Sequence, residues 1–212
     1  MPSEFQLIQQ FFQREQAERP AEGVLLGIGD DCALLQIPAG KHLAVSVDTL
    51  VADVHFPADA DPELIAERAL RTNLSDLAAM GADPLWFTLA LTLPQADESW
   101  LRAFSRGLFS CAGEYGIALV GGDTTSGPLS ITIQVMGATQ PQQTLRRDGA
   151  NVGDFVLVTH YLGDGAAALA ALQQQHTFSD AHRDYLLQRF YRPIPRLHES
   201  RLIRDIASSA LD

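Results

Sequence analysis

The stretch DPELIAERALRTNLSDLAAMG, residues 61 to 81, contains the clearest helical pattern of the chain and decides the fold around it. Asp61 is typical of a residue that caps a helix N-terminus, and Pro62 suits the first helical turn. Gly81 is typical of the residue that follows a helix C-terminus. We therefore predict a helix of about five turns, with both ends marked by the sequence.

One face of this helix is apolar but carries polar residues. At about 100° per residue, Leu70, Leu74 and Leu77 lie on the same face, and Asn73 lies inside it. Asp76 lies at its margin. A buried amide and a half-buried carboxylate both need partners, which are either bound cations or ordered polar groups. A polar network that only fixes packing remains the alternative explanation.

Strands and a second helix surround this segment. A Pro-Ala-Gly turn at 38 to 40 joins two predicted strands, and an amphipathic helix is predicted near the N-terminus. The predicted strands cover 32–37, 42–51, 84–93, 117–122 and 130–138, and the other helices cover 4–16 and 97–116. Long helices among several strands predict an α+β fold for residues 1 to 145, a mixed sheet with helices packed on one face.

The polar, turn-rich segment 140 to 154 predicts a junction between two domains. Beyond it, FVLVTH at 155 to 160 predicts a strand, and helical patterns cover 164–175, 179–191 and 195–210. One strand cannot form a sheet on its own, so we interpret residues 146 to 212 as the beginning of a second α+β domain that is incomplete.

Composition excludes several classes of function. The 15 Lys and Arg residues against 26 Asp and Glu give a formal net charge of -11, which argues against binding nucleic acid or an anionic membrane. A polyanionic ligand such as ATP would need divalent cations as mediators. No signal peptide and no membrane span is expected. Two widely spaced cysteines, Cys32 and Cys111, favour a reducing, cytoplasmic location and core packing rather than catalysis.

Acidic residues recur at the ends of predicted elements. Each alone is explained by a turn, a cap or a strand-end charge. Several carboxylates that converge from different strands repel one another unless a divalent metal neutralises them, and an all-oxygen set favours Mg²⁺ over Zn²⁺. Ser46 lies two residues before Asp48 and therefore on the same strand face. The candidate metal ligands are Asp30, Asp31, Ser46, Asp48, Asp76 and Asp123.

Other residues near these acids are candidates for contact with a phosphorylated ligand. The glycine-rich segment VGGDTTSGPLS could bring backbone N–H groups close to a phosphate. His55 follows the strand that bears Asp48, although a lone His is also common in packing. Arg146 and Arg147 suit nucleotide binding, or form a solvated pair. Neither a P-loop nor a protein-kinase glycine loop is present.

Four motifs, GIGDDCALL, SVDTLVADVHF, NLSDLAAMGADP and VGGDTTSGPL, together and in this order closely resemble the thiamine-monophosphate kinase family. Its superfamily also holds aminoimidazole-ribonucleotide synthetase and selenophosphate synthetase. The resemblance implies ATP-dependent phosphorylation of thiamine monophosphate to thiamine diphosphate by direct transfer, with no catalytic nucleophile or base. It also implies a homodimer joined through sheets of the N-terminal domains.

The resemblance further assigns a role to each candidate residue. Several Mg²⁺ ions would be held by the six candidate ligands and by the backbone carbonyl of Val47. Gly122 and Asp123 would meet ATP, Arg147 would contact its phosphates, and His55 would face thiamine monophosphate. Members of the family continue beyond the point where this chain stops, so we expect an inactive fragment. Two alternatives stay open, namely a related ATP-dependent enzyme with a different acceptor and a non-catalytic dimeric metal-binding module.

Overall fold

The computed structural model describes residues 4 to 13 and 21 to 212 of the chain. The first predicted helix begins as expected and continues as a π-helical turn over Gln9–Gln13, and its predicted end lies outside the described residues. The strands are β1 (Val24–Leu26), β2 (Leu34–Leu35), β3 (His42–Val51), β4 (Asp83–Leu93), β5 (Ala118–Ser126) and β6 (Ser130–Thr139). The α-helices are α1 (Glu4–Ile8), α2 (Pro62–Ala79), α3 (Glu98–Tyr115), α4 (Asp164–Leu172), α5 (Asp180–Tyr191) and α6 (Leu197–Ile203).

Four strands form a mixed sheet in the order β3-β6-β4-β5. The β3–β6 and β4–β6 pairs are antiparallel, whereas β4 and β5 are parallel because α3 carries the chain back to the same end of the sheet. Strands β3 and β5 are therefore the two edges. β1 and β2 form a separate two-stranded antiparallel sheet.

Helices α2 and α3 cover one face of the sheet, which confirms the predicted α+β arrangement. The predicted caps of α2 are also present, since the Asp61 carboxylate accepts a hydrogen bond from the Glu63 amide (2.8 Å) and Gly81 has a φ of 71°. The two helices approach closely at Gly107, where a Cβ atom would lie 2.3 Å from the carbonyl oxygen of Glu63. This contact brings the helix backbones together above a largely apolar core.

The opposite face of the sheet is only partly covered. Trp86, Val120 and Met136 are buried there against the small sheet, and the Trp86 indole N–H donates to the carbonyl oxygen of Glu22 (3.0 Å). Farther along the same face, β3 leaves a row of apolar side chains open to solvent. Its members are Leu43, Val45 and Val47, with 45%, 52% and 57% of their surface exposed.

Beyond β6, the described residues contain helices but no strand. The strand predicted for residues 155 to 160 is wrong, because a strand needs a neighbour for its amides and carbonyls and no other described segment pairs with these residues. The side chain of Phe155 is 94% exposed. The helix predicted over 195 to 210 is shorter, ending at Ile203. The predicted domain boundary near residue 145 stays a prediction.

Helices α5 and α6 dock on α2 through polar contacts. The Arg192 guanidinium donates two hydrogen bonds of 2.8 Å to the buried Glu67 carboxylate, and the Ser200 hydroxyl donates to the carbonyl oxygen of Ala78 (2.5 Å). These contacts fix the C-terminal segment on the outer side of α2. No helix in the described part of the chain is both long enough and apolar enough to cross a bilayer.

The close approach of α2 and α3 predicts opposite effects for two glycine substitutions in α3. Gly107→Ala forces its new methyl group into the Glu63 backbone and should lower the free energy of unfolding by about 1–3 kcal/mol. Gly113→Ala meets nothing within 4 Å and should raise it by up to about 1 kcal/mol through helix propensity. Urea unfolding of both variants tests the packing, and equal stability of the two would contradict it.

Candidate functional site

Strand β3 and helix α2 bring together the first set of candidate residues. Ser46 and Asp48 share the strand face that meets α2. The Ser46 hydroxyl donates to a carboxylate oxygen of Asp76 (2.5 Å), and the Asp48 amide donates to the side-chain carbonyl of Asn73 (3.1 Å). The polar stripe predicted on α2 is therefore used to fix the helix against the strand.

The charge of Asp76 acts on the Asp48 carboxylate, and no Lys or Arg among the described residues offsets it. Burial raises the pKa of Asp48, the negative charge of Asp76 raises it further, and His55 opposes the shift. Within the described residues, no Lys or Arg forms an ion pair with either carboxylate. Two carboxylates and a hydroxyl are all oxygen donors, so the donor set fits Mg²⁺.

The second set of candidate residues lines a cavity of about 590 Å³. Asp30, Asp31, Gly122 and Asp123 contribute to its wall together with residues of α1 and of the turn that follows it. The Asp31 amide donates to the Asp30 carboxylate (2.8 Å), and both acids are exposed. A cavity of this size is in the range that holds small-molecule ligands.

The second glycine of the β5 pair, Gly122, is required by the backbone geometry. The register between β4 and β5 shifts between Phe87 and Thr88, which leaves Val120 as an extra residue on β5. At Gly122 the two strands are so close that a Cβ atom would lie 1.9 Å from the carbonyl oxygen of Leu89. This bulge and close approach carry Asp123 to the cavity wall.

The two sets lie at opposite edges of the same sheet. In the strand register, Asp48 of β3 pairs with Ile133 of β6, Ile133 pairs with Leu89 of β4, and Leu89 pairs with Gly122 of β5. Three strand spacings of ~4.8 Å separate the two edge strands by about 14 Å. Accordingly, no three His, Cys, Asp or Glu side chains of the described residues are grouped closely enough to hold a metal ion.

His55 lies in the turn that follows β3. Its Nδ1 atom accepts a hydrogen bond from the Val51 amide (3.0 Å), so the neutral ring carries its proton on Nε2. The side chain is exposed and directs an N–H donor away from the strand. Such a donor suits a ligand that has acceptor oxygens, such as a phosphate.

The structure distinguishes the two arginines of the candidate site. Arg146 makes a bidentate contact with Asp148 through hydrogen bonds of 2.9 and 2.7 Å, which occupies its guanidinium. Arg147 is exposed, and among the described residues no carboxylate pairs with its guanidinium. Arg147 is therefore the arginine with hydrogen-bond donors available to a ligand.

One acidic residue near the first set is missing from the sequence prediction. The pKa of Asp212 is raised by desolvation of its carboxyl, and by the charges of Asp76 and Asp48. The preceding residues run along the segment after β6, where the Ser209 hydroxyl donates to the carbonyl oxygen of Arg147 (3.1 Å). These contacts place the last residues of the chain beside the segment after β6, and the local sequence carries no signal for them.

The raised pKa of Asp48 predicts a pH-dependent stability difference. A raised folded-state carboxyl pKa stabilises the fold below the unfolded-state pKa, and this contribution is lost as the pH rises through the folded-state value. Asp48→Asn should therefore raise Tm at neutral pH in metal-free buffer, and the gain should shrink towards about pH 4. Asp184→Asn, which changes an exposed carboxylate of α5, is the control. A neutral-pH Tm unchanged in Asp48→Asn would contradict the repulsion.

Known proteins resemble the chain over almost its whole length. Residues 29 to 139 match the model of the family "AIR synthase related protein, N-terminal domain". Thiamine-monophosphate kinase of Escherichia coli (strain K12) is 52% identical over 210 residues, which are 99% of this chain and 64% of that protein. The chain thus spans less than two thirds of the length of this curated relative.

Solved structures give the same relationship. Thiamine-monophosphate kinase from Stenotrophomonas maltophilia K279a superposes with a TM-score of 0.85 at 44% identity, covering 96% of this chain and 65% of that one. A structure described as "AaThiL complexed with AMPPCP and TMP" superposes with a TM-score of 0.75 at 29% identity, covering 97% and 64%. Sequence and fold therefore agree that the chain belongs to the family of AIR synthase related proteins and contains the N-terminal domain of that family.

Proposed function

We propose that the protein to which this chain belongs catalyses the ATP-dependent phosphorylation of thiamine monophosphate to thiamine diphosphate. The observation that carries the proposal is the 52% identity to a thiamine-monophosphate kinase along 99% of the chain. The AMPPCP and TMP of the related complex are consistent with it. Two oxygen-rich sets of side chains, one beside a cavity of about 590 Å³, support the proposal.

The acidic residues are proposed to bind Mg²⁺ at both edges of the sheet. Ser46, Asp48, Asp76 and the backbone carbonyl of Val47 form one group of ligands. Asp30, Asp31 and Asp123 form the other. Bound Mg²⁺ would neutralise phosphate charge, which is the main requirement of phosphoryl transfer. Because Mg²⁺ commonly takes one or two protein carboxylates together with water and substrate phosphates, two carboxylates and a hydroxyl suffice for one ion.

The remaining candidates are proposed to orient the two substrates. The backbone at Gly122 borders the cavity and would approach ATP, while the free guanidinium of Arg147 would contact ATP phosphates. The Nε2–H group of His55 would donate to the phosphate of thiamine monophosphate. Transfer from ATP directly to that phosphate needs positioning and charge neutralisation rather than a protein nucleophile.

Substitution of the paired acids should remove activity without unfolding the protein. We expect Asp48→Asn and Asp76→Asn to lower Mg²⁺-dependent formation of thiamine diphosphate by the full-length protein roughly 100-fold or more, because each removes a carboxylate ligand of the Mg²⁺ that would neutralise phosphate charge. Asp184→Asn should retain activity. A coupled assay of product formation measures all three.

The two alternative functions, a related enzyme with a different acceptor and a non-catalytic metal-binding module, predict different results with the same proteins. Full activity of both acid variants would refute the site assignment. Transfer of the phosphoryl group to a purine-pathway amide or to selenide, but not to thiamine monophosphate, would indicate another enzyme of the superfamily. Calorimetry with Mg²⁺ and a non-hydrolysable ATP analogue tests the non-catalytic module. Metal binding without nucleotide binding would favour that module.

We also propose a homodimer that joins the two halves of the site. Leu43, Val45 and Val47 form an exposed apolar row on edge strand β3, which a second copy would cover. If the β5 edge of a second copy lies beside β3, that copy brings its own Asp123 towards Asp48. Within one chain, the edge strands that carry these two residues are separated by about 14 Å. Strand edges with free amides and carbonyls favour such an approach.

A composite site predicts complementation between two inactive variants. Asp48→Asn and Asp123→Asn should each be inactive as homodimers, whereas a mixed dimer would have one site with both lesions and one site with none. We expect co-refolded or co-expressed mixtures to recover activity of purified heterodimers to about half of the wild-type level. No recovery in a verified heterodimer would mean that Asp48 and Asp123 act within one chain.

A cytoplasmic location is proposed on the cysteine chemistry. Cys32 and Cys111 are both free thiols in the structure, but only Cys111 is buried, so the predicted core packing is wrong for the exposed Cys32. Burial raises the pKa of Cys111 to about 12, which suits a packing residue rather than a reactive one. A protein that keeps its thiols reduced is typical of the cytoplasm.

A further inference from the structure

Asn73 is a polar side chain with no exposed surface in the middle of α2. Its amide nitrogen donates to the carbonyl oxygen of Ala69 (2.9 Å), one turn earlier in the helix. Its side-chain oxygen accepts the backbone N–H of Asp48 (3.1 Å). A buried amide is unfavourable unless such bonds are made, so both contacts together allow Asn73 to occupy an apolar face.

The side chain of Asn73 supplies the Asp48 amide with the hydrogen-bond acceptor that a neighbouring strand would otherwise supply. β3 is an edge strand of the sheet, so within the described part of this chain no neighbouring strand binds its outward-facing amides. The side chain of Asn73 supplies an acceptor to one of these amides, at the residue whose carboxylate belongs to the candidate metal site. The backbone of Asp48 is thereby fixed to α2 by a bond that is independent of its own side chain.

A second contact lies beside the first. Asn73 and Asp76 are three residues apart on α2 and face the same strand, and Ser46 and Asp48 are two residues apart on β3. The Ser46–Asp76 bond (2.5 Å) and the Asp48–Asn73 bond therefore form two parallel links between the same elements. Together they fix the register of β3 against α2, and with it the separation of the Asp48 and Asp76 carboxylates.

We propose that Asn73 is a positioning residue for divalent-cation binding, holding Asp48 at the distance from Asp76 that one cation requires. This inference rests on the proposed Mg²⁺ site and deepens it. Asn73 does not act as a ligand, because both polar atoms of its amide are engaged with the backbone. Without this anchor, the like charges of Asp48 and Asp76 would push the free edge of β3 away from α2.

The test compares Asn73→Leu with the matched control Thr72→Val. Leu is close to Asn in size but removes the acceptor for the Asp48 amide. The Thr72 hydroxyl donates only within α2, to the carbonyl oxygens of Arg68 and Ala69, so its loss leaves β3 untouched. Calorimetric titration of the full-length protein with Mg²⁺ alone should show about 10–100-fold weaker binding for Asn73→Leu and unchanged binding for Thr72→Val.

Hydrogen exchange at the Asp48 amide separates positioning from a general loss of structure. It should be slow in the wild type and in Thr72→Val, and fast in Asn73→Leu. Wild-type Mg²⁺ affinity, or wild-type protection of this amide, in folded Asn73→Leu would overturn the inference. A wild-type protein that does not bind Mg²⁺ would refute the proposed metal site itself, which is a different result.

A second variant decides the question if Asn73→Leu does not fold. Asn73→Asp has the same shape and keeps an oxygen that can accept the Asp48 amide. If Asn73 acts by positioning Asp48, this variant either retains both the protection of the Asp48 amide and the Mg²⁺ affinity or loses both. Weak Mg²⁺ binding with a fully protected Asp48 amide would overturn the positioning role.

Discussion

The burial of α2 against the sheet is the interaction on which the other features depend. Ile65, Leu70, Leu74 and Leu77 have at most 1% of their surface exposed, and each such side chain contributes about 1.5–3 kcal/mol when it is removed from water. This gain is large compared with the unfavourable approach of Asp48 to Asp76 across the same interface. The fold can therefore hold two carboxylates near each other, because apolar packing on this face of α2 and the Asn73 contact to Asp48 both oppose their separation.

The strand order determines what one chain can and cannot assemble. Since α3 returns the chain to make β5 parallel to β4, and β6 then inserts between β4 and β3, the strands that carry Asp48 and Asp123 become opposite edges. Edge positions leave backbone groups and side chains accessible, which suits ligand binding. They also separate residues that the proposed phosphoryl transfer would bring together. In the proposed homodimer a second copy would join such edges, and its side chains would cover the exposed apolar row of β3.

The sequence predicted features that depend on neighbours along the chain. The caps and periodicity of α2 revealed its bounds and the burial of Asn73, because a helix is determined by residues three and four positions apart. The strand at 155 to 160 could not be judged in this way, since pairing requires a partner from elsewhere. For the same reason, the sequence motifs identified the candidate acidic residues but did not show that these residues are divided between the two edges of the sheet. The course of the last residues towards Asp212 likewise depends on a contact between Ser209 and Arg147, which are 62 residues apart in sequence.

Charge pairing elsewhere in the chain explains why the site acids stand out. Burial would raise the pKa of Asp83, yet hydrogen bonds from Arg201 and Arg204, together with their charges, lower it. Asp48 experiences a similar loss of water but meets another carboxylate instead of a guanidinium, and its pKa is raised. With 15 basic residues for 26 acidic ones, cations are scarce, and several of them stabilise the docking of the C-terminal helices. The acids left without a cationic partner at β3 and α2 are those that the proposed Mg²⁺ would neutralise, so that binding of the cation would also relieve their repulsion.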